Sequence, residues 1–318
     1  MIVSANGALV AVGTEDTRIM FQGTEPTPGS WAGIVFQNAG SEHNAMEHVV
    51  VRHGGRETPR TGPANIRLEG TMADPTRLAL AHCELRESAG YGLYVDQWSA
   101  LLDSTANVFT ENSLGAAYVH STSAGWLDAD TRYSGNDHDV VYVEGSRIPT
   151  ETVHWPTIDV PYEVEGRTRV DGGELTIDAG TTLRFHDDAY IEVAPGQGDA
   201  MGRLTAIGTA DAPIVFTGTE EHPGYWRGLA FRDAEESGSR IEHASIEFGG
   251  SSAFPMAEPA NVAVLAVSRD SELDLVSVTL GPADGHCLFL GPYPDAERRI
   301  HEPIVNQQNV EMTGCGGA

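Results

Sequence analysis

An internal repeat constrains the fold of this chain more than any other feature. Shifting the sequence by 195 residues aligns residues 7–55 with residues 202–250 without a gap, and 21 of the 49 aligned positions are identical. The alignment pairs GALVAVGTEDTRIMFQGTE with GRLTAIGTADAPIVFTGTE, and PGSWAGIVF with PGYWRGLAF. A period this long exceeds one coil of a solenoid, so a shorter structural unit must lie inside it.

That shorter unit is a strand with alternating apolar and polar residues. Between residues 174 and 216, the segments ELTI, TTLRF, AYIEV, RLTAI and PIVF are separated by short turns. In TTLRF, Leu183 and Phe185 share one face while Arg184 points away, which is typical of a half-buried strand. Helical periodicity is nearly absent, so the sequence predicts an all-β protein.

Four architectures contain many short strands without helices: a sandwich, a barrel, a propeller and a β-helix. A sandwich of this length needs two domains and a linker, and no linker is present. A propeller needs a blade period of about 40–50 residues, which the self-comparison lacks. The pattern therefore predicts one continuous parallel β-helix over residues 1–318, a single-stranded solenoid. Coils of about 20–25 residues would give roughly 13 or 14 coils.

Charge and cysteine content limit the partners. The chain has 46 acidic and 19 basic residues and a net charge of -27, and all its basic residues are arginine. This acidity argues against nucleic acid and, more weakly, against anionic polysaccharides unless calcium bridges the two. No apolar stretch is long enough for a membrane span. Cys83 is expected to be a buried thiol, and Cys287 can bridge Cys315 if the two lie on neighbouring coils.

The repeat carries a resemblance to a known family. Trp155, PYEVEG, GGELTIDAGTTLRF, GRLTAIGTADAPIVFTGT and GYWRGLAF resemble the repeat of secreted bacterial right-handed β-helix proteins of the pectin-lyase-like superfamily. The resemblance implies a right-handed coil and an extracellular or cell-surface location. It also implies a longer natural protein, so we expect the superrepeat to be truncated at both ends. Family members include polysaccharide lyases and hydrolases, adhesins and surface proteins.

Aromatic residues are the sequence-level candidates for a glycan-binding surface. Tyr91, Tyr94, Trp98 and Tyr225 are predicted to bind the ligand, because exposed aromatic rings stack on sugars. The recurring tryptophans at positions 31 and 226 are instead expected to fill coil corners.

No catalytic residue is predicted. The Glu47-His48 pair recurs at positions 242 and 243, and two distant identical pairs suit a structural role better than one active site. No cofactor is required, although one group of acids is a candidate calcium site because carboxylate oxygens are calcium ligands. Its members are Asp128, Asp130, Asp137 and Asp139.

Two functions remain open at this point. The first is an exported scaffold, adhesin or glycan-binding module without catalysis; the second is a polysaccharide lyase or glycoside hydrolase. An enzyme should bring at least three ionisable side chains of adjacent coils within about 6 Å on one outward face, with shifted pKa values. A scaffold should spread its carboxylates over all faces.

Two further features bear on partners. The loops at 55–62 and 250–258 follow the shared Gly-Gly and differ in sequence, so they are candidate binding loops. Uncovered end coils would leave bare strand edges, which predicts end-to-end self-association or fraying.

Overall fold

A computed structural model describes residues 1–57, 62–198, 200–294 and 299–316. The chain divides into two compact units, each built from stacked parallel strands. Unit 1 comprises Met1–Val143 and Ile158–Pro161, and unit 2 comprises Glu144–Thr157 and Tyr162–Ala318. The predicted parallel β-helix is confirmed in both, while the continuity of the coil over residues 1–318 stays a prediction.

Unit 1 consists of short strands and one 3₁₀ helix, Ser123–Trp126. The strands are β1 (Ile2–Ser4), β2 (Val10–Val12), β3 (Ile19–Gln22), β4 (Ile34–Gln37), β5 (Ala45–Glu47), β6 (Val49–Arg52), β7 (Ala64–Glu69), β8 (Thr76–Ala81), β9 (Glu84–Arg86), β10 (Tyr91–Val95), β11 (Ser99–Thr105), β12 (Val108–Thr110), β13 (Gly115–His120) and β14 (Val141–Glu144).

These strands stack in three ladders. The first ladder runs β1-β4-β7-β10-β13-β14, the second β2-β5-β8-β11 and the third β3-β6-β9-β12. Side chains at equivalent positions of neighbouring rungs therefore lie over one another. Ile34 lies over Ile66, and Ile66 lies over Leu93, and all three are fully buried. This apolar column is the core of unit 1, because stacking removes each rung's inner face from water.

Unit 2 is built from the same kind of strand. The strands are β15 (Arg147–Ile148), β16 (Thr152–Trp155), β17 (Tyr162–Glu165), β18 (Arg167–Asp171), β19 (Glu174–Ile177), β20 (Thr182–Phe185), β21 (Tyr190–Ala194), β22 (Arg203–Ile207), β23 (Ile214–Gly218), β24 (Gly228–Arg232), β25 (Arg240–Ile246), β26 (Ala260–Ala266), β27 (Ser271–Leu280), β28 (His286–Pro292), β29 (Pro303–Gln308) and β30 (Glu311–Met312).

Unit 2 also has three ladders, two of which merge. One ladder runs β15-β18-β21-β24-β26-β28. The β16-β19-β22 and β17-β20-β23 ladders both end on β25, whose first half pairs β22 and whose second half pairs β23. Beyond β25, the long strand β27 continues both ladders. The core is again a column of stacked apolar residues, such as Leu183, Phe216 and Ile246.

The coils turn at residues with left-handed backbone conformation. Between the second and third ladders of unit 1, the corner residues His48, His82 and Ala106 have φ values of 51°, 52° and 51°. In unit 2, His243 has φ of 45°. The Glu47-His48 and Glu242-His243 pairs therefore lie at equivalent coil corners, which supports the structural role predicted for them. A side chain at Gly13 would collide with the backbone carbonyl of His48, and a side chain at Gly208 would collide with that of His243.

The coils are longer than expected. Successive rungs of the first ladder of unit 1 start at residues 2, 34, 64 and 91, and the shortest step in the β15 ladder of unit 2 is 20 residues. Within the described residues, the longest ladder of each unit has six rungs. Loops such as 250–258 lengthen individual coils, and the estimate of 13 or 14 coils for the whole chain stays a prediction.

The cysteines and one tryptophan take structural positions. Cys287 and Cys315 form a disulfide with a Cα–Cα distance of 5.4 Å, and Cys83 is a buried free thiol whose pKa burial raises to about 11. Trp226 is fully buried and stacks on Phe185 at 4.2 Å between ring centroids. Trp226 therefore packs in the interior, whereas its counterpart Trp31 is only partly buried.

Candidate functional site

A ladder of four tyrosines lies on the first sheet of unit 1. Tyr94, Tyr118 and Tyr142 are the middle residues of Leu93–Val95, Ala117–Val119 and Val141–Val143, whose flanking residues are all buried. Because successive side chains of a strand point to opposite faces, the tyrosines point outward while their neighbours fill the core. Tyr91 begins β10 and is likewise only partly buried.

The four rings contact one another across three rungs, and we call them the tyrosine ladder. Tyr94 and Tyr118 are direct partners in the register, and their rings stack with centroids 5.5 Å apart and planes 14° apart. Tyr118 stacks on Tyr142 at 6.3 Å, and Tyr91 contacts Tyr118 at 5.5 Å. Offset and tilted contacts of this kind fix ring orientation.

Gly115 allows the fourth ring contact, which joins Tyr91 and Tyr142. Tyr91 faces Gly115 in the register, and the missing side chain at Gly115 lets the ring of Tyr91 reach Tyr142 two rungs away, at 5.7 Å. A Cβ at Gly115 would lie 3.4 Å from the ring of Tyr142. Gly62 lies beside the rings of Tyr91 and Tyr94. The candidate binding loop at 55–62 therefore ends at the tyrosine ladder, although its residues 58–61 lie outside the described part of the chain.

Arg67 lies on the preceding rung, in the same column as Tyr94 and Tyr118. It is the register partner of Tyr94, and its side chain is buried. Its Nε lies 3.5 Å from a carboxylate oxygen of Glu69. Burial lowers the pKa of the Arg67 guanidinium, and the charge of Glu69 opposes that shift.

The structure separates the four aromatic residues predicted to bind the ligand. Tyr91 and Tyr94 belong to the tyrosine ladder, whereas Trp98 is an exposed residue of the turn before β11. Tyr225 lies in unit 2, where its hydroxyl accepts a hydrogen bond from Thr219 at 2.9 Å and its ring meets His222 edge-on. The sequence prediction missed Tyr118 and Tyr142, although both sit in the same alternating pattern as Tyr94.

Two of the four acids proposed for calcium accept hydrogen bonds from backbone groups. Asp128 accepts hydrogen bonds from the amides of Ala106 and Asp130, and Asp139 accepts hydrogen bonds from the amides of Gly135 and Asn136. Such bonds are typical of aspartates that stabilise turns. Within the described residues, Asp128, Asp130, Asp137 and Asp139 form no group that could hold a metal ion, nor do any other histidines, cysteines or acids.

A second constellation, which the sequence prediction missed, surrounds Asp171 in unit 2. Arg147 on β15 donates from Nε and Nη2 to both carboxylate oxygens of Asp171, at 2.7–3.2 Å. Arg169 on β18 places Nε 3.0 Å from Asp171 Oδ2. Arg147 and Arg169 are register partners on adjacent rungs, so both guanidinium groups lie on the same outward face.

Glu192 on β21 and Arg232 on β24 extend this constellation by two rungs. Glu192 is the register partner of Arg169 and forms ion pairs with Arg167 and with Arg232, whose Nη2 lies 2.9 Å from Glu192 Oε1. Arg167, Arg169 and Arg232 thus surround one carboxylate that is almost completely buried. We call these six residues the arginine cluster: Arg147, Arg167, Arg169, Arg232, Asp171 and Glu192.

The arginine cluster meets the spatial part of the criterion set above for an enzyme. Ionisable side chains from adjacent coils converge on one outward surface of unit 2. The shift at Arg147 has the wrong sign for a catalytic base, because its hydrogen bond with Asp171 raises the pKa of the guanidinium.

Part of the chain matches a known family. Residues 150–255, which contain most of the arginine cluster, match the family model described as pectate-lyase like beta helix domain. This segment is similar to that family. Neither a curated protein nor a solved structure matches the chain. Among the described residues, no helix is long and apolar enough to cross a membrane.

The segment that matches this family carries two further titratable groups with shifted pKa values. The Glu163 carboxylate lies 3.1 Å from His186 Nε2, and its hydrogen bond raises the pKa of that imidazole. Burial raises the pKa of Glu247, and the nearby charge of Glu221 adds to the shift. Glu247 also accepts, through its backbone carbonyl, the indole N–H of Trp226 at 2.7 Å. The latter contact fixes the backbone at Glu247 against the core.

Proposed function

We propose that this chain is a polysaccharide-binding parallel β-helix whose sugar-binding surface is the tyrosine ladder of unit 1. The observation that carries this proposal is the contact of four outward tyrosine rings over three adjacent rungs. Tyrosine suits such a surface, because it combines a large apolar ring with a polar hydroxyl and loses little conformational entropy on binding.

The spacing of the rungs favours an extended ligand. Neighbouring strands of a sheet lie about 4.8 Å apart, so the tyrosine ladder covers roughly 10 Å along the stack. Pyranose rings have apolar faces made of C–H groups, and these faces pack on aromatic rings. A chain of two or three sugar units therefore matches the length of the ladder better than a single sugar does.

Binding without turnover ranks above catalysis for two reasons. First, two of the four acids predicted as a calcium site, Asp128 and Asp139, accept hydrogen bonds from backbone amides. Second, the best-placed arginine at the ladder, Arg67, is buried and paired with Glu69. A general base has to reach the substrate proton directly or through one water molecule.

A polysaccharide lyase is the second candidate, and one observation favours it. Burial lowers the pKa of Arg67, which is the direction that an arginine base would need, and Arg67 adjoins Tyr94 in the register. If the chain is a lyase, polysaccharide incubated with it will gain unsaturated sugar ends, seen by ultraviolet absorbance. The Arg67→Lys variant will then lose that activity, whether or not calcium is added to the assay. Sugar binding without new chain ends supports the first candidate.

A glycan array followed by calorimetry tests the binding proposal. Tyr118 lies at the centre of the ladder, so Tyr118→Ala should weaken binding of an array hit by about 3- to 10-fold, the effect of losing one aromatic contact. Trp126→Ala is the matched control, because Trp126 is an exposed aromatic residue of unit 1 outside the ring contacts of the ladder. Unchanged affinity in Tyr118→Ala, or equal losses in both variants, would contradict the proposal.

The proposed setting is the outside of the cell, where a polysaccharide-binding solenoid would act as an adhesin or surface scaffold. The family match to a pectate-lyase-like β-helix domain supports this location. Self-association is part of the proposal as well, because Ile2, Val10, Val12 and Met20 expose apolar side chains on β1, β2 and β3. Sedimentation should show dimers that dissociate in Val10→Glu; strictly monomeric protein at high concentration would contradict it.

A further inference from the structure

The tyrosine ladder places phenol rings in contact with other phenol rings. Tyr94 and Tyr118 are register partners on adjacent rungs, with ring centroids 5.5 Å apart and planes 14° apart. The ring of Tyr118 also contacts the rings of Tyr91 and Tyr142, at centroid distances of 5.5 and 6.3 Å. Three contacts between phenol rings therefore meet at Tyr118.

Two tyrosines of unit 2 contact rings of other kinds. Tyr190 meets the ring of Phe254 edge-on, and Tyr225 meets the ring of His222 in the same way. Both are partly buried, as the four residues of the tyrosine ladder are. They therefore match the ladder in exposure and differ from it in the chemistry of the neighbouring ring.

The tyrosine ladder is open to solvent on its outer side. Its four rings are partly buried, and Tyr94 lines an open cleft of about 360 Å³ together with Glu69 and Asp96. A small oxidant can enter a cleft of this size, and a phenol proton can leave through it to water. The rings are thus fixed against one another by their strands and still accessible to a reagent.

We propose that Tyr94 and Tyr118 form a site of oxidative crosslinking, at which a haem peroxidase with hydrogen peroxide joins the two rings by a carbon–carbon bond. The product is a dityrosine that ties β10 to β13. This modification goes beyond the proposed function, because it changes the chain covalently and requires no sugar.

The reaction is the loss of two hydrogen atoms. Each phenol gives one electron and its hydroxyl proton to the oxidant, which leaves two neighbouring phenoxyl radicals. These radicals couple through the ring carbons next to the oxygen-bearing carbons, and one carbon–carbon bond forms. Each coupled carbon then loses its hydrogen as a proton while the ring oxygen gains one, which restores both phenols. One hydrogen peroxide takes up the two electrons and two protons and is reduced to two molecules of water.

The geometry of the ladder favours coupling within the chain. Two reacting groups that are held in contact react in an effectively unimolecular step, which is faster than coupling between separate molecules. Neighbouring strands lie about 4.8 Å apart, a distance that two side chains joined at the far ends of their rings can span. Because Tyr118 contacts three phenol rings, it also receives a radical that forms first on Tyr91 or Tyr142.

Peroxidase treatment of the whole chain tests the proposal. Dilute protein is incubated with a haem peroxidase and limiting hydrogen peroxide, and monomers are isolated by gel filtration. We expect dityrosine fluorescence in the monomer and a mass lower by two hydrogen atoms. Cleavage at acidic residues locates the bond, because Asp96, Asp103 and Glu111 separate Tyr94 from Tyr118 in the sequence. The expected product is a branched peptide that contains both tyrosines.

Phenylalanine variants serve as matched tests, because they keep the packed ring and remove the phenol. Tyr118→Phe should lower the yield of dityrosine in the monomer by about 10-fold or more, since the remaining phenols lose the central partner. Tyr94→Phe should remove the branched peptide. Tyr225→Phe is the control and should leave the yield unchanged, because the ring beside Tyr225 is that of His222. Thermal melting before treatment verifies that each variant is folded.

The crosslink should also change the stability of the protein. A bond between two rungs restricts the unfolded chain, so treated wild-type protein should need more urea to unfold than untreated protein. Tyr118→Phe treated in the same way should show no such shift. This comparison separates the crosslink from oxidation elsewhere in the chain, which the variant undergoes as well.

Three results would overturn the proposal. The first is a monomer without dityrosine under conditions in which free tyrosine is coupled by the same peroxidase. The second is an equal loss of yield in Tyr225→Phe and Tyr118→Phe. The third is dityrosine confined to dimers, which would show that the bond forms between chains. No sugar is present in these assays, so failure of this proposal and failure of the sugar-binding proposal are separate results.

Discussion

The two copies of the superrepeat share a backbone but differ in burial. Gly13 N donates to Glu47 O at 2.9 Å, and the equivalent Gly208 N donates to Glu242 O at 2.8 Å. The indole of Trp31 donates to Arg52 O at 2.8 Å, as that of Trp226 does to Glu247 O at 2.7 Å. Equivalent residues therefore form equivalent coils in both units.

Equivalent side chains of the two copies nevertheless differ in how deeply they are buried. In the first copy Leu9, Ile19 and Phe21 are only partly buried, whereas their counterparts Leu204, Ile214 and Phe216 are fully buried.

The cause is the number of neighbouring rungs. In the described residues, β2 pairs only with β5, and β3 pairs only with β6. By contrast, β22 lies between β19 and β25, and β23 lies between β20 and β25. The sequence of a coil therefore specifies its turns and hydrogen bonds. The presence of a neighbouring rung determines how much apolar surface of that coil is buried.

The largest difference in unfolding free energy between the copies is expected for two equivalent phenylalanines, Phe216 and Phe21. Phe216→Ala should lower the free energy of unfolding by about 3–5 kcal/mol, because it removes a fully buried ring from between two rungs. Phe21→Ala should cost less than about half of that, because Phe21 is partly exposed already. Urea denaturation followed by circular dichroism measures both. Equal losses would break the link between burial and rung number.

The asparagines are expected to show no such difference. Asn65 accepts the Gly54 amide at 2.9 Å, its counterpart Asn261 accepts the Gly249 amide at 2.8 Å, and both asparagines are fully buried. Replacing either one by alanine leaves buried backbone groups unpaired and should cost about 1–3 kcal/mol. The same denaturation experiment should give values for Asn65→Ala and Asn261→Ala that agree within error. A much cheaper Asn65→Ala would mean that the first copy is looser than its hydrogen bonds indicate.

A pH effect should be confined to the second copy. Arg227, where the first copy has Ala32, holds Asp188 and lowers the pKa of its carboxyl, and Ser251 and Ser252 donate hydrogen bonds to the same group. A carboxyl with a lowered folded pKa stabilises the fold above its unfolded pKa of about 3.9 and loses this effect as the pH falls towards the folded value.

The melting temperature tests this pH effect directly. Wild-type protein should lose more stability than Asp188→Asn between pH 5 and the acid limit of folding, and the loop 250–258 should become more accessible to exchange. Parallel pH curves for the two proteins would show that Asp188 does not anchor this loop. Arg77→Ala is the control, since Arg77 forms an exposed ion pair with Glu42 in unit 1.

The sequence was sufficient to predict the fold but only half of the tyrosine ladder. Alternation around Leu183 and Phe185 predicted parallel rungs, because apolar columns need that period. Tyr118 and Tyr142 were missed because the sequence alone does not give the register of β10, β13 and β14. Only that register places their rings beside Tyr91 and Tyr94.

The arginine cluster was missed for the same reason. Arg147, Arg169 and Glu192 follow one another after 22 and 23 residues, one coil length each. Coil lengths elsewhere vary with the loops, so no fixed period in the sequence reveals such a column.

Hydrogen exchange of the two copies tests the central claim most directly, because it compares similar sequences in different positions of a stack. Amides of β22 and β23 should exchange on the order of 100-fold more slowly than those of β2 and β3, since only the former lie between two rungs. Equal protection in both copies would contradict the claim that neighbouring rungs, and not the coil sequence, determine stability.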